Sequence, residues 1–147
     1  MADTLDEALK AIQDIVGRVA GIDAAPEYAS DKVPPGVWSM VFPRDGVYTH
    51  EPQGVSQGLH SVGLYVVCPR VDLPKTLGRI LPLAEEVIGA LESNPTLLDT
   101  VETFGPISYV FDFAMNVGTA SAPAYVSGWD FTITEIKIHN TSIISIV

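Results

Sequence analysis

The sequence predicts an α+β domain in which a mostly antiparallel sheet of about four strands carries two main helices packed on one face. Two stretches repeat apolar residues at the helical spacing of three and four, and four others alternate or run apolar over strand lengths. They come in the order helix, strand, strand, helix, strand, strand. The third and fourth strands, joined without a helix, are expected to pair antiparallel. With both helices on one side, the other face of the sheet is left over.

The first helix opens at Thr4, where Glu7 three residues on completes a capping box, and Asp3 and Asp6 suit the positive helix start. Leu5, Leu9, Ile12, Val16 and Val19 form its stripe, and Gly21 is its expected stop. Ile22 to Gly36 has no apolar period and holds Pro26, Pro34 and Pro35, so it reads as an ordered excursion within one domain. Val37 to Phe42 is short, apolar and bounded by prolines, as a buried strand is. The 16 residues from Pro43 to Gly58 carry Gly46, Pro52, Gly54 and Gly58. Loops beyond about 12–15 residues are usually functional or disordered, so this stretch is expected to be an arm or a binding loop.

Leu59 to Cys68 places His60, Val62, Leu64, Val66 and Cys68 on one face and Leu59, Gly63, Tyr65 and Val67 on the other. Both faces are partly apolar, which fits a central strand. Asp72 and Pro74 open the second helix, with Leu77, Ile80, Leu81, Ala84, Val87, Ile88 and Leu91 as its stripe. Pro82 lies inside it and predicts a kink or break, because it lacks the N–H and crowds the preceding turn. Asn94-Pro95 starts a turn or single helical turn through Leu98.

In the third strand Ile107, Tyr109, Phe111 and Phe113 share a face opposite Ser108, Val110 and Asp112. A small polar link, Met115 to Pro123, leads to the fourth, Tyr125 to His139. There Trp129, Phe131 and Ile133 alternate with Asp130, Thr132 and Thr134. Between Ile133 and Ile136 the alternation slips by one residue, which predicts a bulge that turns Ile136 and Ile138 toward another layer or a neighbouring subunit.

A chain of 147 residues is expected to make one domain, here 1–140, and to bury roughly 68–70% of its unfolded surface. Residues 141–147 form an apolar extension, expected to dock on the sheet edge or on a neighbour. Met1 to Lys10 has neither a basic start nor an apolar centre, so no secretion signal is expected. No apolar run approaches the ~18 residues of a membrane helix. The net charge of −10, with eight scattered basic residues, argues against gripping a nucleic acid. Cys68, the one cysteine, excludes an intrachain disulfide and reads as a small buried hydrophobe.

No catalytic centre emerges. Gly54-Val55-Ser56-Gln57-Gly58 matches the nucleophile-elbow pattern, but an elbow needs a strand entering the serine and a helix leaving it, whereas here a loop enters and a strand leaves. His50, His60 and His139 are far apart in sequence, so a metal site would need three segments to converge, and none is expected. Glu85 and Glu86 are adjacent on a helix and diverge. Asn140-Thr141-Ser142 fits a glycosylation acceptor only by chance in a chain without a secretion signal.

The amphipathic first helix, the Pro-rich lead into Val37-Trp38-Ser39-Met40-Val41-Phe42-Pro43, and the Gly-rich loop into Leu64-Tyr65-Val66-Val67 resemble the tail terminator family of long-tailed bacteriophages. So do the helix from Thr76 to Leu91 and the closing Gly128-Trp129-Asp130-Phe131-Thr132-Ile133-Thr134. The similarity covers nearly the full chain and rests on element order and short apolar motifs; the extension 141–147 departs from the pattern. It implies a non-enzymatic virion protein without cofactor, metal or membrane, made in the host cytoplasm. Such proteins form a hexameric ring on the head-proximal end of the tail tube, which contacts the tail tube protein and the head-completion or stopper protein. Genome DNA passes through the lumen without specific binding.

On that reading Pro43 to Gly58 and Met115 to Pro123 are inter-subunit or tube-facing loops. The candidate assembly contacts are Tyr48, His50, Val55, Val117 and Tyr125, with Ile143, Ile144, Ile146 and Val147 docking on an adjacent chain. Two other readings stay open at the level of sequence. One is a different virion neck or tail tube component, and the other is a small-ligand-binding or enzyme domain that uses the spare sheet face as its pocket.

Overall fold

A computed structural model of the protein describes residues 4–26, 35–50, 56–70 and 73–140. Among these, the chain runs α1 (Leu5–Gly17), β1 (Trp38–His50), β2 (Ser56–Pro69), α2 (Leu73–Ile80), α3 (Leu83–Glu92), β3 (Ile107–Asn116) and β4 (Tyr125–Asn140). The four strands make one sheet in the order β1-β2-β4-β3, and every neighbouring pair is antiparallel. It is the predicted α+β architecture, with the second helix broken into α2 and α3 at Leu81-Pro82.

Thr4 caps α1 from an extended backbone, its Oγ1 accepting the Glu7 N–H at 3.2 Å. The helix ends at Gly17, four residues before the expected stop. Gly21, at φ 97°, instead turns the chain that follows it. Ala8, Ala11, Ile12, Ile15 and Val16 are buried, while Leu5, Leu9 and Val19 flank them half-exposed.

Cross-strand partners share a face, so the register defines the core directly. Val41, Leu64 and Phe131 stand in one row, and Val62 and Ile133 in the next. These residues pack with the α1 stripe and with Ile80, Leu83, Val87 and Leu91 from α2 and α3. Each large side chain fully buried there, such as Phe131, contributes roughly 1.5–3 kcal/mol.

The stretch expected to be an arm is instead mostly strand. β1 continues through Pro43 to His50, and β2 starts at Ser56; residues 51–55 lie outside the described set. Pro43 is tolerated because β1 is an edge strand, and the register shifts between Pro43 and Asp45, leaving Arg44 as the extra residue. Two of the glycines that suggested a loop serve packing. A Cβ on Gly46 would come within 2.6 Å of His60 Nδ1, and one on Gly58 within 2.5 Å of His60 Nε2.

The predicted bulge in β4 is present. His60 and Val62 pair with Ile136 and Ile133, so β4 holds one more residue than β2 at this point, and Glu135 takes φ 53°. Its consequence differs from the expectation. Ile136 and Ile138 are fully buried in the same core as Phe131, because the added residue restores them to the face that Ile133 occupies.

After α3 the expected helical turn has the opposite hand. Leu97, Leu98 and Asp99 all have positive φ, 46°, 58° and 64°. Left-handed geometry costs L-residues roughly 1–2 kcal/mol each. Complete burial of Leu97 and hydrogen bonds from Thr100 Oγ1 to Leu97 O and from Asp99 N to Thr96 Oγ1 hold the turn in place.

The face away from the helices is partly filled by the chain itself. Trp38, Val67 and Val126 are buried there under Met40, Tyr65, Met115 and Val117. Beside them Arg44 stacks on Phe42 at 4.9 Å and pairs with Asp130, while Phe42 meets Tyr65 edge-on at 4.8 Å. The spare face is therefore a second small core at one end and a cation–aromatic cluster in the middle.

Candidate functional site

The sheet brings the predicted histidines closer than the sequence suggested, without assembling them. His50 pairs with Ser56, His139 with Gln57, and His60 lies three positions further along β2, so all three occupy the same end of the sheet. The register puts His60 on the helix face, level with Gly46 and Ile136. Among the described residues no group of three or more potential metal ligands comes together.

His60 is buried, its ring edge-on to Tyr48 at 5.2 Å, and its Nε2 has no hydrogen-bond partner among the described residues. Burial holds its imidazole below the ordinary value of 6.5, because the charged form would lose its hydration. It is a neutral packing residue at neutral pH. Ser56 begins a strand, so the helix that a nucleophile elbow requires does not follow it. Glu85 and Glu86 are exposed in the first turn of α3, where they complement its positive end.

A polar node fixes the approach to β1. Asp23 Oδ2 accepts the Val37 N–H at 2.9 Å and an Arg79 N–H at 2.6 Å. The Val37 hydrogen bond, with help from Arg79, holds the Asp23 carboxyl below its usual 3.8 against some desolvation. Gly36, at φ 79°, is needed here, since a Cβ would lie 2.3 Å from that carboxylate oxygen. Cys68 is buried, and burial pushes its thiol above the usual 9.0; Arg79 opposes this and Asp23 adds to it. It is the unreactive small hydrophobe the sequence suggested.

The candidate assembly contacts divide. Tyr48 and Tyr125 are about half exposed, at 49% and 53%, one on edge strand β1 and the other at the start of β4. Val117 is half-buried against the second core, and its N–H closes the β3–β4 turn on Ala124 O at 2.9 Å. The His50 side chain, Val55, Ile143, Ile144, Ile146 and Val147 lie outside the described residues.

The sequence left one surface unmarked, the outer edge of β3. Tyr109, Val110 and Phe113 are 55%, 65% and 48% exposed there, on both faces of the last strand in the sheet. Its signal was partial, one aromatic face and a single apolar residue, Val110, on a face otherwise carrying Ser108 and Asp112. A groove between α3 and β3, lined by Leu81, Pro82, Ile88, Tyr109 and Trp129 with Glu85 at its rim, runs along the same edge. Across the sheet Val47 and Leu59 form a second exposed apolar pair, on the β1–β2 hairpin.

No protein-family model and no curated protein matches this chain.

Proposed function

We propose that the protein is the subunit of a virion ring that caps the head-proximal end of a long-tailed bacteriophage's tail tube and joins it to the head-completion proteins, with no enzymatic activity. The observation that carries this reading is the run of motifs through Val37–Pro43, Leu64–Val67 and Gly128–Thr134, which resembles the tail terminator family in order and placement. Exposed apolar residues at both sheet edges add support, since a subunit held by like neighbours presents such surfaces.

The acidic composition fits a conduit. Six copies at −10 each total −60, which repels rather than grips a passing DNA. The tail tube protein binds one side of the ring and the head-completion or stopper protein the other. Native mass and electron microscopy of the purified protein test the proposal. A closed ring of about six subunits is expected. Open filaments would instead indicate a tube protein, and a strict monomer at high concentration would overturn the reading.

A further inference from the structure

We propose that the segment Thr141–Val147 of one copy adds as a strand to the outer edge of β3 in a second copy. The two edges of the sheet are not alike. β1 is blunted against strand addition by Pro43, by the bulge at Arg44 and by the Ala24 bridge that covers its start. β3 has no proline, its one charged residue is Asp112, and its register with β4 is unbroken from Ile107 to Asp112. Over those six residues the edge lacks such blocks, the register shifting only beyond them, between Asp112 and Met115, and an edge of that kind is a template for another strand.

The segment has the matching chemistry. Thr-Ser-Ile-Ile-Ser-Ile-Val is uncharged in its side chains and rich in β-branched residues. As a strand it would carry Ile144 and Ile146 on one face and Ile143 and Val147 on the other. The β3 edge offers Ile107, Tyr109 and Phe111 on the groove side and Val110 opposite, between Ser108 and Asp112.

Reach decides which copy supplies it. Asn140 pairs with Ser56 on β2, seven positions beyond Ile133, the partner of Ile107 where β3 begins. That is about 20 Å back along a bulged strand and about 10 Å sideways to the outer edge of β3. Seven residues span at most about 25 Å when fully extended, so within one chain the segment is used up on arrival at Ile107. A neighbour's segment has no such constraint.

The inference needs only a second copy and is independent of the ring. Full-length Ser145→Cys and Ile144→Cys, one for each face of the added strand, are each mixed in turn with Ser108→Cys, Val110→Cys and Asp112→Cys, then oxidised, and disulfides are mapped by mass spectrometry; buried Cys68 stays inert. The expected result is a disulfide between position 144 or 145 of one chain and at least one of the three β3 positions of the other. Absence of every such disulfide, or β3-to-β3 disulfides alone, overturns the proposal. So does an intrachain disulfide in a chain carrying both Ser145→Cys and Val110→Cys. In parallel, Val110→Lys is expected to weaken self-association about tenfold or more with an unchanged circular dichroism spectrum; unaltered association overturns it. A closed ring lacking the disulfide would remove this inference alone, and the disulfide in open filaments would remove the ring alone.

Discussion

The indole N–H of Trp129, on β4, donates to the carbonyl of Ile80 at 2.9 Å, the last residue of α2. In an uninterrupted helix that carbonyl would accept the N–H four residues on, from Ala84. Pro82 breaks the helix, and the sheet satisfies the carbonyl that the break exposes. Trp129 also meets Phe111 edge-on at 4.9 Å and Tyr109 at 5.3 Å, so one side chain joins helix break, core and edge strand.

Trp129→Phe keeps an aromatic ring and strips the donor. It is expected to cost about 1–3 kcal/mol in chemical denaturation, since Ile80 is fully buried and its carbonyl would lose its partner. Pro82→Ala in the same chain lets Ala84 approach that carbonyl, so the double variant is expected to lose less than the sum of the two single changes. Strict additivity would separate the proline from the hydrogen bond.

Gln13 and Ser39 form a buried polar clasp between α1 and β1. Ser39 Oγ donates to Gln13 Oε1 at 2.7 Å, and Gln13 Nε2 donates to the carbonyls of Ser39 at 3.2 Å and Pro26 at 2.5 Å. Ser39→Ala is expected to destabilise by about 1–3 kcal/mol by orphaning Gln13 Oε1. A cycle with Gln13→Leu should show a coupling of about 0.5–3 kcal/mol, read from urea midpoints.

His60 makes stability depend on pH. Because its folded-state value lies below 6.5, the unfolded chain binds more protons in the window between the two. The contribution to stability is whole above 6.5 and falls away as the pH drops through that window. Urea midpoints followed from about pH 7.5 to about pH 5.5 should decline more steeply for the parent chain than for His60→Gln. Equal slopes would show that His60 is not the group responsible.

Glycines at close approaches and on open helix surface should respond oppositely to alanine. A Cβ on Gly128 would lie 2.2 Å from the Val66 carbonyl oxygen, so Gly128→Ala is expected to cost about 1–3 kcal/mol or more. Gly89, inside α3, has nothing within 4 Å, and Gly89→Ala should stabilise by roughly 0.5–1 kcal/mol. Thermal melts of the two variants should move in opposite directions.

Periodicity made the element order, the helix break at Pro82, the central place of β2 and the β4 bulge legible, because each is written in the spacing of neighbouring residues. What it concealed depends on distant partners. Gly46, Gly58 and Pro43 look like loop residues until His60 and the edge position of β1 account for them. The Gln13–Ser39 clasp joins residues 26 apart in sequence, and no periodic signal marks it. The left-handed turn at Leu97–Asp99 has none of the glycines that usually announce one. Of the candidate surface, Tyr48 was visible as an aromatic residue in a loop-like setting and Tyr125 as one at the start of a strand, whereas the β3 edge became apparent only once strand order put it last.

Glu135 has a consequence for how this chain can change its length. Upstream of it, odd-numbered positions of β4 face the helices, as Trp129, Phe131 and Ile133 do; downstream, even-numbered positions do, as Ile136 and Ile138 do. Inside and outside on β4 are thus two reading frames spliced at a single residue. Removing that residue would put both halves in one frame and leave Ile136 and Ile138 at the core, whereas straightening the bulge with Glu135 retained would exchange them for Lys137. Parity, more than composition, sets which insertions and deletions this strand can accept.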